Sequence, residues 1–555
     1  MKDGTMPRTR EDTTAGEGLE ALVLLCTELE GLGPGLDLEH ISGWLKGVVP
    51  AVEAQVVPDL CNRPEEIAET FRRSRAARVV LGLCSRDYPQ VEVQAHARRV
   101  GLEPFGVEVV NLGAYCAQVH QRSEATDKAK LLLEAAVAKA RAFPGSDPES
   151  VKPVISWDQT VSRRALFTLP PLQYEPVPSI RRGDCAFDEG CRVCAKTCPR
   201  HALEPSEQGL MVLDKLRCTG CGACVSACPQ TAIDLPGVSP QQINAQIAAL
   251  LNGAPLPIHP RAILFVCARG TQALEGLAQE GFSYPAGWLP VEIPCVGMVT
   301  PTWLLQCLNL GAASTAVLPC LRDDCRFGQR EVTEGRVAYC REFLDALGAP
   351  PDSVRLLDPH DVGELARALG SLPEPEREAG KDRPRDVALF TPQATARALL
   401  GLAERFASSF DGSVAHPYSP VGVVQLAPGC TSCEACVHAC PSGALSMERD
   451  EEGRALTFDA GLCIGCEACA PVCPEKVVRV EKVTDLSRLA QGKHTLHLDS
   501  QIRCEACGAP VAPGAMLSRI AGMLGSEDSG TLSFITRYCT SCRGTLMFGG
   551  GPPPE

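Results

Sequence analysis

The feature of this chain that most constrains its fold is a run of four cysteines with one fixed spacing, which occurs three times. In residues 218–228 the cysteines are separated by two, two and three residues, and a proline follows the fourth. Residues 430–440 and 463–473 repeat this spacing, and residues 185–198 form a variant with a wider first gap. Because cysteines at this spacing share one tight loop, these segments predict metal sites rather than a hydrophobic core.

Composition places these sites in a reducing environment. The chain has 30 cysteines among 555 residues and is far too long to be a small disulfide-stapled domain. Residues 1–18 contain no apolar signal core, so we predict a disordered tail and a cytoplasmic protein, free or on the cytoplasmic face of a membrane complex. No segment approaches the roughly 18 apolar residues of a membrane-spanning helix. The net charge of -14 argues against a nucleic-acid partner.

Three of the four runs have the spacing of bacterial ferredoxins, and residues 185–198 are a variant of it. In these ferredoxins, three cysteines of a run bind one [4Fe–4S] cubane and the fourth, before proline, binds the neighbouring cluster. The first cysteines of paired runs are 33 residues apart, from 185 to 218 and again from 430 to 463, so the pairs are internal copies. Zinc knuckles rarely show this spacing. The four predicted [4Fe–4S] ligand sets are Cys185, Cys191, Cys194 and Cys228; Cys218, Cys221, Cys224 and Cys198; Cys430, Cys433, Cys436 and Cys473; and Cys463, Cys466, Cys469 and Cys440.

A dispersed group of cysteines precedes the first run, each at the carboxyl end of a short apolar segment that predicts a strand. Its members are Cys26, Cys61, Cys84 and Cys116. Helical patterns over 63–75, 89–100 and 126–143 alternate with these segments, which predicts an open parallel α/β sheet. Ligands gather beyond the carboxyl ends of such strands, so the four thiolates could share one cluster. The alternative is four buried core cysteines.

A second dispersed group follows the same logic. Cys267, Cys295 and Cys320 end apolar strand-like segments, and Cys325 follows in a loop. Cys307 and Cys340 fall inside helical patterns and are predicted to be core residues.

The last group consists of two CxxC pairs, and its members are Cys504, Cys507, Cys539 and Cys542. A glycine lies within two residues of the second cysteine in each pair, as a zinc ribbon needs for its tight turns. We predict a structural zinc site, with a rubredoxin-like iron as the alternative.

Residues 21–143 resemble the N-terminal domain of the A subunit of heterodisulfide reductase. The matching stretches are RVVLGLCS, GLEPFGVEVVNL, ATDKAKLLLEAAVAKA and the pair Cys116 and His120. The first ferredoxin module with its following SPQQINAQIAALL also resembles that protein. The resemblance implies a [4Fe–4S] cluster held by the dispersed cysteines, although the usual CxC at the first strand is here Cys26-Thr27-Glu28.

The flavin-binding domain of that reductase is missing from its usual position in this sequence. The glycines of residues 31–35 lie beyond their strand and enclose a proline, which makes a poor phosphate-binding turn. We therefore predict no FAD or NAD in this chain.

Residues 261–360 resemble the delta subunit of methyl-viologen-reducing hydrogenase. The matching stretches are FVC, PCVGMVTP, LNLGAASTAVLPCLRDDCRFG and FLDALGAPPDSVRLL. The resemblance implies a [2Fe–2S] cluster, for which Cys267, Cys295, Cys320 and Cys325 remain, because Gly270 replaces the second cysteine of the family's FxCxxC. Met298 and Arg326 stand where the family usually has arginine and histidine.

These observations predict a multidomain α/β and α+β protein with two open parallel α/β domains, two 2[4Fe–4S] modules and a zinc ribbon. The predicted division is a tail (1–18), an α/β domain (19–143), a linker (144–183), a ferredoxin module with a trailing helix (184–255), a [2Fe–2S] domain (256–370), a linker (371–422), a second ferredoxin module (423–485) and the ribbon (490–550).

No catalytic constellation has a recognisable spacing, so we predict an electron-transfer subunit of a multi-subunit oxidoreductase. The resemblances imply a hydrogenase- or formate-dehydrogenase-like partner on one side. A heterodisulfide-reductase-like, flavin- or quinone-linked partner, or a ferredoxin, would lie on the other. The alternatives are an enzyme with its own open-cluster or flavin-dependent reductase site, and an iron–sulfur scaffold or redox sensor.

Overall fold

The computed structural model describes residues 19–27, 32–58, 60, 64–74, 76–84, 103–145, 150–154, 173–267, 269–320, 327–373, 387–407, 409, 411–450, 453–524 and 534–547. Predictions for the tail, the helix over 89–100, Cys61, Cys325 and Arg326 lie outside these residues. Within them, no helix is long and apolar enough to cross a membrane.

The first domain is built on a parallel sheet in the order β2-β1-β3-β4. Its strands are β1 (Ala21–Cys26), β2 (Val52–Val57), β3 (Arg78–Leu83) and β4 (Val107–Asn111). Its helices are α1 (Leu32–Gly35), α2 (Leu38–Val48), α3 (Pro64–Ser74) and α4 (Arg122–Arg141). Every residue of β1 is buried, because a central strand covered on both faces needs a continuous apolar run. The predicted helices over 63–75 and 126–143 correspond to α3 and α4.

The first ferredoxin module is formed by short antiparallel strands and short helices that follow the cysteine loops. The strands are β5 (Val151–Val154), β6 (Gln173–Pro176), β7 (Ser179–Ile180), β8 (Leu203–Pro205), β9 (Met211–Leu213) and β10 (Ile233–Asp234). The helices are α5 (Val193–Thr197), α6 (Ala223–Ala227) and α7 (Pro240–Asn252). The linker prediction for 144–183 is wrong, because β5 and β6 pair with each other inside it and β7 pairs with β10 of the module.

The trailing helix α7 joins the module to the first domain. The side chain of Ser239 accepts from the N–H of Gln242 in a capping box, which begins the helix at Pro240. Its apolar face packs against α4. The carboxylate of Glu134 on α4 accepts from the N–H of Ala254, at 3.2 Å.

The third unit repeats the strand order of the first, β12-β11-β13-β14, again all parallel. Its strands are β11 (Ala262–Cys267), β12 (Trp288–Ile293), β13 (Thr315–Leu318) and β14 (Val354–Leu356). Its helices are α8 (Thr271–Gln279), α9 (Pro301–Asn309), α10 (Arg330–Ala346) and α11 (Val362–Leu369). The prediction of two open parallel sheets is confirmed. Cys307 on α9 and Cys340 on α10 are fully buried, as predicted for core residues.

The segment before the second ferredoxin module is not a plain linker, which corrects the prediction for 371–422. Residues Pro392–Phe406 form α12, and Thr391 caps its start by accepting from the N–H of Ala394. One face of α12 is buried against α9. The charges and prolines of the preceding residues 371–390 obscure this helix when only composition is considered.

The second ferredoxin module continues into the C-terminal region without a boundary at 490. Its strands are β15 (Ser413–Ala415), β16 (Val423–Leu426), β17 (Leu445–Arg449), β18 (Gly453–Asp459), β19 (Val478–Glu481) and β20 (Val483–Asp485). Helices α13 (Ala435–His438) and α14 (Leu486–Gln491) belong to it. The C-terminal elements are β21 (Lys493–Arg503), β22 (Pro510–Pro513), α15 (Gly514–Leu524) and α16 (Thr540–Met547). Because β17, β18, β21 and β22 form one sheet, the predicted ribbon is a continuation of the module.

Candidate iron–sulfur and metal centres

The cysteine loops of the ferredoxin modules direct their thiols toward common points. Gly222 adopts a left-handed conformation, with φ at 78°, that starts α6 immediately after Cys221. Backbone N–H groups also donate to sulfur: Gly220 to Cys218 at 3.4 Å, and Ala232 to Cys228 at 3.3 Å. Such donors favour a thiolate, which is the form that binds iron.

The structure brings together the four cysteines predicted for each cubane. The sets that line one cavity each are Cys185, Cys191, Cys194 and Cys228; Cys198, Cys218, Cys221 and Cys224; Cys430, Cys433, Cys436 and Cys473; and Cys440, Cys463, Cys466 and Cys469. In each set the cysteine before proline comes from the neighbouring run, which is the exchange that the spacing predicts. Ligation itself stays a prediction.

The chemistry of these thiol sets fits a cationic metal centre. Burial raises the pKa of Cys194 to about 12, and the neighbouring Cys191 and Cys228 contribute to the rise. Burial likewise raises the pKa of Cys463 and of Cys469 to about 12. Four buried thiolates would repel one another, so deprotonation of a whole set needs positive charge at its centre. Iron bound by the set supplies that charge.

At the third unit, cysteines gather at the carboxyl edge of the sheet. Cys267 ends β11, and Cys295 and Cys320 follow β12 and β13 directly; all three are buried. A hydrogen bond from Cys320 and N–H groups of Arg269 and Gly270 outweigh burial and lower the pKa of Cys267 to about 6. The N–H of Gly297 donates to Cys295 Sγ at 3.4 Å. The predicted fourth ligand, Cys325, lies outside the described residues.

The first sheet distributes its cysteines differently. Cys26 is buried on one face of the sheet with Leu24 and Leu81, whereas Cys116 is buried in the core on the other face. Cys84 lies against the turn that carries Cys116, because a Cβ at Gly113 would come within 2.2 Å of the Cys84 carbonyl oxygen. The structure therefore places Cys84 beside the Cys116 turn and directs Cys26 away from it. The predicted shared cluster stays a prediction, since Cys61 lies outside the described part of the chain.

Sequence reasoning missed a buried cation beside Cys116. Lys128 on α4 is fully buried, its Nζ lies 3.0 Å from His120 Nε2, and it sits 4.6 Å above the ring of Tyr284. Burial lowers the pKa of Lys128 to about 8, and the thiol of Cys116 opposes this shift. Burial lowers the pKa of His120 to about 2, so this ring is neutral. A lysine in an amphipathic helix is expected on the surface, and only the packing of α4 against residue 284 reveals its position.

The C-terminal cysteines form a compact four-thiol site. The sulfur atoms of Cys504, Cys507, Cys539 and Cys542 all lie within 4.8 Å of one another, a spacing suited to one tetrahedral metal ion. Burial raises the pKa of the Cys504 thiol. Hydrogen bonds from the N–H groups of Cys539, Ala506 and Cys507 outweigh burial and lower this pKa to about 6.

The two pairs in this site are not alike. Gly508, after the first pair, has φ at 72°, as predicted for a tight turn. Gly544, after the second pair, lies inside α16, so the turn predicted there is wrong. Cys542 belongs to the same helix, which makes the second pair a helix start rather than a second knuckle.

Successive centres are neighbours in space, which the sequence did not indicate. Cys295 and Cys221 pack in one apolar cluster, so the third unit touches the first ferredoxin module at its second thiol set. Cys194 raises the pKa of Cys224, which links the two sets of that module. These contacts connect three candidate centres.

A second group of contacts links the two ferredoxin modules. Cys466 lies near enough to raise the pKa of Cys191. The side chain of Gln230, two residues after Cys228, donates from Nε2 to the carbonyl oxygen of Pro441 at 2.6 Å. Pro441 follows Cys440, so the hydrogen bond joins the loops of two thiol sets. Within the second module, Cys436 raises the pKa of Cys469.

Comparison with protein families locates three segments. Residues 262–372 match the family described as "Methyl-viologen-reducing hydrogenase, delta subunit". Residues 188–233 and 429–477 each match a "4Fe-4S dicluster domain". The prediction of two [4Fe–4S] ferredoxin modules is thereby confirmed.

Curated relatives fall into two groups. The iron–sulfur A subunit of a CoB–CoM heterodisulfide reductase from Methanopyrus kandleri is 29% identical over 123 residues, which is 21% of this chain and 18% of the relative. The iron–sulfur D subunit of an F420-non-reducing hydrogenase from Methanococcus voltae is 26% identical over 128 residues, 22% of this chain and 93% of the relative. The corresponding hydrogenase protein of Archaeoglobus profundus is 31% identical over 104 residues, 18% of this chain and 72% of the relative. The chain thus spans less than a fifth of the heterodisulfide reductase relative, and both predicted resemblances are confirmed.

Proposed function

Because the chain belongs, through residues 262–372, to the family of methyl-viologen-reducing hydrogenase delta subunits, we propose that it is an iron–sulfur electron-transfer subunit of a larger oxidoreductase. The observation that carries the proposal is the adjacency of the thiol sets. Cys295 shares a small buried cluster with Cys221 and Ala223, and the hydrogen bond from Gln230 to Pro441 joins the two ferredoxin modules. The clusters, when bound, would accept and donate single electrons.

The predicted ligand sets support one continuous order of centres. That order runs from the site of Cys267, Cys295 and Cys320 through the first ferredoxin module to the second. Its far end is the set with Cys433, whose side chain is exposed. An exposed ligand at one end of the series would let a partner approach that centre closely.

The resemblances suggest the partners. A hydrogenase- or formate-dehydrogenase-like protein would exchange electrons at the [2Fe–2S] end. The partner that exchanges electrons at the other end would be a heterodisulfide-reductase-like protein, a flavoprotein, a quinone-linked protein or a ferredoxin. Catalysis would then lie in the partners, and the C-terminal four-thiol site would hold structural zinc that shapes a binding surface or caps the chain.

Anaerobic purification from the native host, with metal counting and identification of co-purifying chains, tests the proposal. Four cubanes and one [2Fe–2S] cluster give about 18 iron atoms per chain, and a cluster on the first sheet raises the count to about 22, with one zinc. A count of about 16 would contradict the [2Fe–2S] site. Recovery of the chain alone, with turnover of substrate in the absence of partners, would overturn the assignment as an electron-transfer subunit.

The zinc proposal has a separate test. Replacing Cys542 by alanine should remove zinc and expose α16 to proteolysis, while the iron content stays that of the wild type. The control is Ser541→Ala, which changes a neighbouring exposed residue and leaves all four thiols in place. Retention of zinc in the Cys542→Ala protein would contradict the site.

A further inference from the structure

We propose that Arg336 and Lys482 form a half-buried bridge of positive charge between the third unit and the second ferredoxin module, and that this bridge raises the reduction potentials of the centres on both sides. The inference rests on the proposed function, because it concerns clusters held at Cys295 and at Cys463 and Cys466. It links the third unit to the second ferredoxin module, whereas the cluster of Cys295 and Cys221 joins the third unit to the first ferredoxin module.

Arg336 lies on α10 and points at the turn that follows Cys295. Its Nη1 donates two hydrogen bonds of 2.8 Å, to the carbonyl oxygens of Gly297 and Val299. Burial lowers the pKa of Arg336 to about 10, and Tyr418 and Cys295 oppose the shift. The guanidinium group is therefore charged at neutral pH. Its hydrogen bonds fix it beside the loop that carries one predicted ligand.

Lys482 approaches from the other side, between β19 and β20. Its Nζ donates to the carbonyl oxygens of Ser419, at 3.2 Å, and Ile464, at 3.4 Å. Ile464 lies between Cys463 and Cys466, so the lysine is attached to the cysteine loop itself. Burial lowers the pKa of Lys482, and Cys463 and Cys466 raise it.

Arg336 belongs to the third unit and Lys482 to the second ferredoxin module, and the two units meet where α10 packs against β15. Burial lowers the pKa of Lys482, and the positive charge of Arg336 adds to this lowering. Among the described residues neither side chain forms a salt bridge, and the carboxylate that influences Lys482 is that of Glu467. A pair of half-buried like charges is stabilised by negative charge nearby. The cysteine loops on either side are the groups placed to supply it.

Electrostatics gives the direction of the effect. Reduction adds one negative charge to a cluster, and a fixed positive charge nearby stabilises the reduced form. Each cation should therefore raise the potential of its nearest centre most, because the interaction falls with distance. Arg336 should act mainly on the centre at Cys295, and Lys482 on the centre at Cys463 and Cys466.

The test is an anaerobic redox titration of the full chain, followed by electron paramagnetic resonance. In Lys482→Met, the [4Fe–4S] signal of one centre should shift to lower potential. The expected change is about tenfold in the reduction equilibrium, which is about 59 mV for one electron. In Arg336→Met, the [2Fe–2S] signal should shift in the same direction by a similar factor. Lys482→Arg and Arg336→Lys keep the charges and should stay within about twofold of the wild type.

Lys493→Met is the matched control, because Lys493 belongs to the C-terminal sheet, is paired with Glu448 and lies on the surface. It should leave all midpoints unchanged. Midpoints in Lys482→Met and Arg336→Met that equal those of this control, with wild-type iron content, would overturn the bridge and leave the proposed function intact. A wild-type chain without these cluster signals would instead overturn the proposed function. If Arg336→Met loses iron, the Lys482 variants decide the question.

Discussion

The two parallel sheets of this chain have the same strand order, and both have cysteines at or near the ends of their strands. The two sheets nevertheless arrange these cysteines differently. In the third unit, Cys267 and Cys320 interact directly at the carboxyl edge. In the first domain, Cys26 and Cys116 are buried on opposite faces of the sheet. Equal topology therefore does not imply an equal ligand site.

The pleat explains the difference. Cys26 is part of β1, where alternate side chains face opposite sides, so it shares a face with Leu22 and Leu24. Cys295 and Cys320 lie two residues beyond their strands, where the loop backbone decides the direction of the side chain. Cys267 also lies inside its strand, so the pleat sets the direction of both cysteines: it brings Cys267 to Cys320 and turns Cys26 away from Cys116.

Both sheets nevertheless place a cation beside a cysteine. Lys128 lies near Cys116 in the first domain, and Arg336 lies near Cys295 in the third unit. Neither cation belongs to the strands, since one is carried by α4 and the other by α10. Charge near these sites is therefore supplied by helices packed on the sheet edge.

The strongest test of this contrast is the iron content of a Cys116→Ala protein. If the first sheet holds a cubane, as its resemblance implies, we expect the loss of about four iron atoms per chain. Tyr115→Phe is the control, because it removes the hydroxyl that contacts Glu292 and keeps the thiol. An unchanged iron count in the alanine variant would show that Cys116 is a core residue. The first sheet would then differ from the third unit in binding no cluster through this cysteine.

In the third unit, Cys320→Ala should remove the [2Fe–2S] cluster, with a loss of about two iron atoms and its paramagnetic signal. Cys307→Ala is the matched control, since Cys307 is equally buried but lies on α9 away from the strand ends. Equal iron loss in both variants would point to general misfolding instead of ligand removal.

The close approach at Gly113 gives the next prediction. A methyl group there would meet the Cys84 carbonyl oxygen at 2.2 Å. Gly113→Ala should therefore destabilise the edge of the first sheet by about 2 kcal/mol. Hydrogen exchange of the β3 and β4 amides should report the change, because it measures local opening. Gly43→Ala, with no atom within 4 Å of the added methyl, should leave this protection unchanged or slightly raised.

The smallest effect concerns the contact between the third unit and the first ferredoxin module. At Gly222 an added Cβ would lie 2.6 Å from Met298 Sδ, and φ is 78°. Gly209→Ala is the control, with φ at 71° and no atom within 4 Å. Each substitution should cost about 1 kcal/mol for the left-handed backbone. Gly222→Ala should cost up to about 1 kcal/mol more, because methionine can move aside. Equal unfolding midpoints for Gly222→Ala and Gly209→Ala would show that Met298 accommodates the added methyl group at no cost in stability.

Much of the candidate site could be predicted from the sequence because its information is local. The spacing in residues 218–228 limits which thiols reach one point, and the proline after Cys228 marks the thiol that crosses to the neighbouring set. Burial of Cys307 and Cys340 also followed from local helical patterns. The helix α12 was not predicted, because the composition of residues 371–422 concealed an amphipathic segment.

The sequence by itself determined the presence of two [4Fe–4S] ferredoxin modules and predicted the ligand sets, since cysteine spacing and strand-end position act over a few residues. Only the tertiary structure decided which centres are neighbours, because Cys191 and Cys466, or Arg336 and Lys482, are distant in the chain. It also decided that Cys26 faces away from Cys116, since the pleat must match the packing of both faces of the sheet. Contacts of this kind depend on how whole units pack together, and no spacing within one segment specifies them.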